Sequence, residues 1–490
     1  MRPSLFPFAL LGPGLTTALS LPTRQYTSTP LSPPSDCFTL DPLTPNASLL
    51  PTPCPTNPWS SFNVLPPASL DPWYAPPANW DLAAPGTPLK LRTHAYPTIN
   101  IRNCSDTYQL LYRSSDTHGR PSWAVTTVFV PTSHALSCDT KTGTGCAHAL
   151  VSYQVPSDSV SPDAAPSYLL QAREPYGEMR DLLRRGWFVA VPDYEGPQAA
   201  YCAGKQAGYA TLDGARAVLA TGARFGLRVD EARVGLWGYS GGAFATGFAV
   251  ELVGGYAPEL VGRVRGAAVG GPSPNLTTVA GLMNGSRKDT AGLVIASVWG
   301  VTMQHPKARG WLEGRLKTEG EYNATGFKVI ESLSGAEALW AYSGQDVYDY
   351  FENGAEDVWH PIIQEVIDAD AVMGVHGIPP RDVPVFVYKA VEDEMSLVEE
   401  TDDMVKRYCD GGATVLYHRN TEGGHNDELW SGRLRTMDFL SHVLETEPGK
   451  LQMVSGVKVA VPRSGCVTQN VSVPLDVKDL LPDWWLTGIP

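Results

Sequence analysis

Short apolar runs bounded by turn residues dominate the chain beyond position 120. Trp123-Ala124-Val125-Thr126-Thr127-Val128-Phe129-Val130, then Ala147 to Val155, then Trp187 to Pro192 are each of strand length and partly β-branched, which predicts buried strands. Between Tyr201 and Gly226 the period changes. Ala207, Ala210, Leu212, Ala215, Val218 and Leu219 recur at helical spacing, with Gly226 as a stop. Arg233 to Trp237 reads as the next strand, Ala243 to Leu252 as a helix of small residues, and Gly266-Ala267-Ala268-Val269-Gly270 as another strand. Strands alternating with helices predict an α/β chain built on a mostly parallel sheet flanked by helices.

The following strand pattern is Val383-Pro384-Val385-Phe386-Val387-Tyr388, so roughly a hundred residues separate it from the last one, far more than a connection needs. That stretch has helical patterns of its own at Ala308 to Leu316 and Trp359 to Ile367, and it carries Trp299, Trp311, Trp340 and Tyr348. It predicts an inserted helical cap over residues 272–382, dividing a core into 89–271 and 383–490. The second part continues with a helix from Leu397 to Cys409, a strand from Thr414 to His418, a helix from Glu428 to Leu444, and a tail closing at Trp484-Trp485. Ahead of the core, residues 21–88 are rich in Pro, Ser and Thr with little periodicity, a Pro-rich N-terminal arm that Cys37 and Cys54 are placed to staple.

Composition adds a compartment. The chain opens Met1-Arg2, runs through the apolar Leu5 to Leu11 and closes on Ala18-Leu19-Ser20, the pattern of a signal peptide over residues 1–20. None of the 8 cysteines forms a C-x-x-C pair, so disulfides are the better reading than a metal or redox site. Sequons stand at Asn46, Asn103, Asn275, Asn284, Asn323 and Asn470, where composition alone would give roughly two. A secreted, extracellular glycoprotein is expected. With a net charge of −14 and no block of Lys/Arg, a nucleic-acid partner is not expected. Beyond the start, no apolar run reaches the ~18 residues of a spanning helix, so no transmembrane segment is expected.

Candidate chemistry centres on Gly238-Tyr239-Ser240-Gly241-Gly242, a G-x-S-x-G sequence that composition would produce about 0.3 times in a chain of this size. Its context makes it specific, because an apolar strand enters it and a small-residue helix leaves it. In such a nucleophile elbow the flanking positions 238, 241 and 242 must be very small, since a Cβ there would strike the neighbouring strand or helix. The turn pushes the Ser240 hydroxyl outward, over a helix N-terminus that favours developing negative charge. A serine nucleophile needs an acid and then a histidine after it in this chain order. The strand from Val383 runs into Val391-Glu392-Asp393-Glu394, and Asp393 is the choice for the acid, with Glu392 and Glu394 as rivals that spacing leaves open. His425 follows Thr421-Glu422-Gly423-Gly424 and is expected on a loop before a helix, suited to a base. His418 lies inside a strand. One oxyanion donor is expected from the N–H of Gly241. The loop that should hold the second reads Pro156-Ser157-Asp158 and has no H-G-G-G run.

From about Asn79 to Val471 the sequence resembles the fungal secretory lipase family of the Candida antarctica lipase A type. The resemblance rests on Pro121-Ser122-Trp123-Ala124-Val125, Ser152-Tyr153-Gln154-Val155, Ala165-Pro166-Ser167-Tyr168, Asp193-Tyr194-Glu195-Gly196, Gly238 to Gly242, Tyr256-Ala257-Pro258-Glu259-Leu260, Asp393-Glu394 and His425. It implies an α/β-hydrolase fold whose helical cap covers an acyl tunnel, a triad of Ser240, His425 and Asp393, an oxyanion hole at Asp158 and Gly241, and a disulfide between Cys409 and Cys466. The chain departs from the family at Pro156-Ser157, where Tyr-Glu is usual, and at Ala164, where the family has a cysteine. The expected function is a secreted serine lipase, a carboxylic ester hydrolase acting on acylglycerols through an acyl-enzyme. Its partner is a lipid or ester substrate, at a lipid–water interface where the substrate forms one. The chemistry needs no metal and no organic cofactor. The alternatives are a secreted carboxylesterase for short-chain or aromatic esters, a serine peptidase on the same fold, and, more remotely, a non-catalytic binding protein. The last would have a broken triad.

Overall fold

The computed structural model describes residues 37–40, 49–52, 65–93, 101–133, 147–171, 177–285, 288–445 and 454–476. The signal-peptide segment, Asn46, Cys54 and the Trp484-Trp485 tail lie outside these residues. Among the described residues a single sheet of twelve strands runs in the order β12-β11-β10-β9-β8-β6-β7-β5-β4-β3-β1-β2. The strands are β1 Cys37–Thr39, β2 Leu50–Thr52, β3 Pro88–Thr93, β4 Cys104–Ser115, β5 Pro121–Pro131, β6 Ala149–Gln154, β7 Phe188–Pro192, β8 Arg233–Tyr239, β9 Val264–Gly270, β10 Val385–Ala390, β11 Val415–Asn420 and β12 Cys466–Val471. From β7 to β12 every neighbouring pair is parallel. Strands β1 to β5 form an antiparallel flank that joins this block where β5 pairs with β7.

The flank departs from the sequence reading, which gave no strand before Trp123 and treated residues 21–88 as an arm. Polar residues hide it. Arg92 on β3 is buried, donates to Gln109 of β4 at 2.6 Å and pairs with Asp71 at 2.6 Å, while its guanidinium lies 4.2 Å from the ring centre of buried Trp73. Charges and amides that satisfy one another can be buried, and they erase the apolar alternation a strand would otherwise display.

Two helices cover the central strands and set the nucleophile's surroundings. Helix α1 (Gly204–Thr221) buries Ala207, Ala210, Leu212, Ala215 and Val218, the predicted face. Its last turn tightens into a 3-10 turn over 222–225 before Gly226 ends it with φ 90°. Helix α2 (Gly241–Tyr256) leaves β8 directly, and its small residues at 243, 245 and 247 are buried. After β10, α3 (Val398–Asp410) packs on the same face as α2, burying Met404, Val405 and Tyr408 in one core with it, whereas α4 (His425–Leu444) after β11 covers the other face. Because α4 begins at His425 rather than Glu428, the expected loop histidine is the first residue of a helix.

Between β9 and β10 the chain folds into helices that include Leu276–Gly285, Ala291–Val301, Pro306–Glu313, Gly335–Ala341 and Pro361–Asp370. Every residue of Ala291–Val301 is buried, as expected for a helix that is apolar on all sides. Trp299 is buried beneath Arg309, and Trp311 stacks on His360 at 3.8 Å, so both serve the insertion's interior, whereas Trp340 is 85% exposed. Entry and exit lie side by side: Asn275 bridges Val372, and Met373 N donates to Pro274 O at 2.8 Å. The exit is fastened to α2, where Glu251 accepts from Gly374 N at 2.7 Å and from His376 N at 3.1 Å, and Tyr408 Oη of α3 donates to the same carboxylate at 2.7 Å. No helix among the described residues is long and apolar enough to cross a membrane.

Cys409 at the end of α3 is bonded to Cys466 at the start of β12. The bond pins an exposed edge strand and closes a loop of 57 residues' separation. Replacing both cysteines by Ser is expected to lower unfolding free energy by roughly 2–4 kcal/mol while leaving activity at 25 °C in place. A denaturant midpoint equal to that of the native protein would show that the bond does not constrain the unfolded chain.

The sequons fare differently. Asn103 and Asn470 are exposed, and Asn275 and Asn323 are partly so. Asn284 is fully buried, its Nδ2 donating to Asp346 at 2.9 Å and its Oδ1 accepting from Val347 N at 2.9 Å. A side chain without exposed surface leaves no room for a glycan on that nitrogen, so the expectation of glycosylation does not fit Asn284 in this structure.

Candidate active site

The turn from β8 into α2 places Ser240 at the carboxyl end of a central strand with φ 54° and ψ −121°. A non-glycine residue is strained there, and its neighbours explain what holds it. A Cβ on Gly238 would lie 2.1 Å from Gly242 O, and one on Gly242 would lie 1.9 Å from Gln154 O on the adjacent strand β6. Ser240 N donates to Gly270 O at 2.9 Å. Two strands and a helix therefore converge on one residue and leave its hydroxyl as the part that protrudes.

His425 Nε2 lies 2.9 Å from Ser240 Oγ, and His425 Nδ1 lies 2.7 Å from Asp393 Oδ2. The three residues named from sequence are thus brought together from the ends of β8, β10 and β11. Since the carboxylate can only accept, Nδ1 carries the proton and Nε2 accepts from the serine hydroxyl. His425 and Asp393 are both buried. Burial alone would raise the Asp393 carboxyl; the His425 and Lys389 partners outweigh it and hold the group well below the usual carboxylate range. Asp393 Oδ1 accepts from Met395 N and Ser396 N, each at 2.9 Å.

The rivals separate on geometry. Glu392 is exposed. Glu394 supports the base differently, its Oε2 accepting from His425 N at 2.8 Å, while Tyr239 Oη donates to His425 O at 2.5 Å. These two contacts clamp the histidine's backbone, and neither role was read from sequence. His418 is buried in β11 at 5.1 Å from the Phe386 ring, edge to face, and burial followed by the Arg435 charge pushes its imidazole down to about 4. It is a core residue. Lys389, also missed, is the charged residue in the otherwise apolar run of β10, four positions before Asp393; that lone charge was the available signal.

Asp158 follows β6 in a left-handed conformation, φ 49°. Its Oδ1 is buried with no hydrogen-bond partner, and a Cβ on Gly241 would lie 1.9 Å from it. Burial pushes the carboxyl up to about 6, against the pull of Tyr201 and of the charge on His425. Behind the loop, Tyr194 Oη donates to Val155 O at 2.8 Å, and Glu195 is held well above the carboxylate range by burial and then by the charge of Asp158. The inserted helices press on the same loop: Ser159 Oγ donates to Leu333 O at 2.7 Å, and a Cβ on Gly335 would lie 2.9 Å from Asp158 O.

A cavity of about 50 Å³ touches Ser240, Gly241 and Asp158, walled on the insertion's side by Val279, Met283, Leu293 and Val294. A second of about 170 Å³ lies across Asp158 and Leu293, lined by Leu169, Leu170 and Leu339. The arrangement offers a nucleophile with its base, a space poor in charge beside it, and polar groups at one side of that space.

A model of the family described as secretory lipase matches residues 176–450. The chain is 42% identical over 394 residues to the trichothecene C-3 esterase of Fusarium sporotrichioides, covering 79% of this chain and 86% of that protein. It is 36% identical over 380 residues to lipase A of Arthroderma benhamiae, covering 73% and 76%. Among solved structures, that of Candida antarctica lipase A matches with a TM-score of 0.67 at 26% identity, over 80% of this chain and 89% of the other.

Proposed function

The chain belongs to the secretory lipase family, and from that premise we propose that it hydrolyses acylglycerol esters outside the cell through an acyl-enzyme on Ser240. Its fold is that of the α/β-hydrolases, and it is a carboxylic ester hydrolase. The reading of the site rests on one observation, the unbroken chain from Ser240 Oγ through the His425 ring to Asp393 at 2.9 and 2.7 Å. Ser240 attacks the ester carbonyl as His425 Nε2 takes its proton, and Asp393 holds the tautomer and balances the imidazolium charge. The oxyanion forms beside Gly241 N–H at the start of α2, with Asp158 on its other side. Collapse releases the alcohol, protonated by His425, and a water then repeats the sequence to free the acid.

The inserted helices act as the cap over this site, because they wall the cavity at Ser240 and bear on the Asp158 loop. Residues 1–20 are the leader that sends the chain out, and Asn103 and Asn470 are the sequons best placed to carry glycans.

The size of the cavity favours a second reading. Pockets that enclose drug-sized ligands run to about 300–1,000 Å³, and the 50 Å³ beside Ser240 takes a short acyl group as it stands. A long chain needs the insertion to move. A carboxylesterase for short acyl esters fits this closed arrangement, and the name of the 42% identical relative, an esterase, agrees with it. The experiment is a panel of p-nitrophenyl esters from C2 to C18 beside an emulsified long-chain triacylglycerol. For acylglycerols, kcat/KM is expected to hold or rise with chain length and turnover to increase once substrate forms an emulsion. Activity confined to C2–C4 esters, with none on the emulsion, would replace lipase by esterase.

A further inference from the structure

Lys389 on β10 has a completely buried side chain, an unfavourable place for an ammonium unless its charge and its three protons are all met. They are. Nζ donates to Asp393 Oδ2 at 2.8 Å, to Pro272 O at 3.1 Å and to Ser396 Oγ. Ser396 Oγ itself donates to Pro272 O at 2.9 Å, so it can only accept from the lysine. Three acceptors require three N–H donors, which fixes Lys389 as the cation. It bonds the same oxygen of Asp393 that receives His425 Nδ1 at 2.7 Å. Acyl transfer needs a carboxylate at that point; nothing in it asks for a cation behind the carboxylate.

Resting on the assignment of Ser240, His425 and Asp393 as the triad, we propose that Lys389 is a positioning residue that offsets the charge of Asp393, weakening its hold on the protonated imidazole and extending hydrolysis to more acidic solution. The other groups facing His425 pull the opposite way or are neutral. Glu394 receives its backbone N–H, and Asp158 lies across the cavity. Glu428 stands one turn along α4 and is matched by Arg435 at 2.7 Å, and the Tyr239 and Tyr388 phenols are buried and uncharged. Lys389 is the cation bonded directly to the triad. Remove it, and Asp393 presents its full charge to the ring, which then keeps its proton to higher pH.

The test is the pH profile of kcat/KM on a soluble short p-nitrophenyl ester, with the pH dependence of inactivation by a serine-directed phosphonate as a readout free of turnover. In Lys389→Met and Lys389→Gln the acid limb of both profiles is expected to move up by about one pH unit; in Lys389→Arg, which keeps the charge, it is expected to stay with the native enzyme. Ser396→Ala, which removes two hydrogen bonds but no charge, is expected to leave the limb where it is. An acid limb unmoved in the neutral variants overturns the proposal. If neither neutral variant folds, an upward shift in Lys389→Arg does the same. Failure of the triad assignment would look different, as a native protein that the phosphonate does not label at Ser240.

Discussion

Ser240→Ala is expected to lower kcat/KM by about 10⁴- to 10⁶-fold without unfolding the protein. The loss is large because the hydroxyl is the only group at the turn that can form the acyl bond, and Asp393 and His425 have nothing to activate once it is gone. The fold should persist, since among the described residues Ser240 Oγ bonds the His425 ring alone, while the turn itself is held by Ser240 N on Gly270 O and by Phe244 N on Ser240 O. Both are backbone contacts that alanine keeps. Steady-state kinetics and a thermal melt on the same preparation check the two halves together. Activity within tenfold of native would remove Ser240 from the mechanism, and a collapsed melt would make the kinetic loss uninformative about chemistry.

Gly242→Ala is expected to be the most damaging substitution for stability, by about 3 kcal/mol or more. The new methyl would sit 1.9 Å from Gln154 O, and that oxygen belongs to a strand paired on both sides, so it cannot yield without moving the sheet. Gly255→Ala serves as the comparison in the same helix. Its Cβ meets nothing within 4 Å, and ordinary helix propensity makes it neutral or stabilising by up to about 1 kcal/mol. Chemical denaturation of the pair measures the difference. Equal midpoints would mean that the elbow's packing tolerates a side chain, against the contact that defines it.

The comparison of these two glycines also says what the sequence could reveal. A glycine in a motif announces itself by its position between an apolar strand and a small-residue helix, so Ser240 and its flanks were legible. The places of Asp393 and His425 were legible because each follows a strand, but spacing left Glu392 and Glu394 as rivals to Asp393, and the contact with His425 Nδ1 is what separates them. The antiparallel flank was not, since Arg92, Gln109 and Asp71 satisfy one another inside the protein and write a polar sequence for a buried strand. Tyr239 and Glu394 act on the triad through contacts of long sequence separation that no local pattern marks, and Lys389 left one signal, the single charge in the apolar run of β10 four residues before its partner. The start of α4 was misplaced for a related reason: His425 and Asn426 are indifferent helix formers, and the first residue is gripped by Tyr239 at the end of β8 and by Glu394 in the turn after β10.

The bridge between Asn275 and Val372 makes the insertion a loop whose two feet share one footprint on the sheet. Its length and composition can then vary without changing the spacing of β9 and β10, and so without disturbing the distances among Ser240, His425 and Asp393. On the proposed reading of the insertion as a cap, substrate choice varies in one piece of chain while the triad's spacing is held by another, and the two meet at the Asp158 loop, on which Leu333 and Gly335 bear. Exchanging residues between those feet for the corresponding stretch of a relative is a direct way to transplant a preference while keeping the reaction.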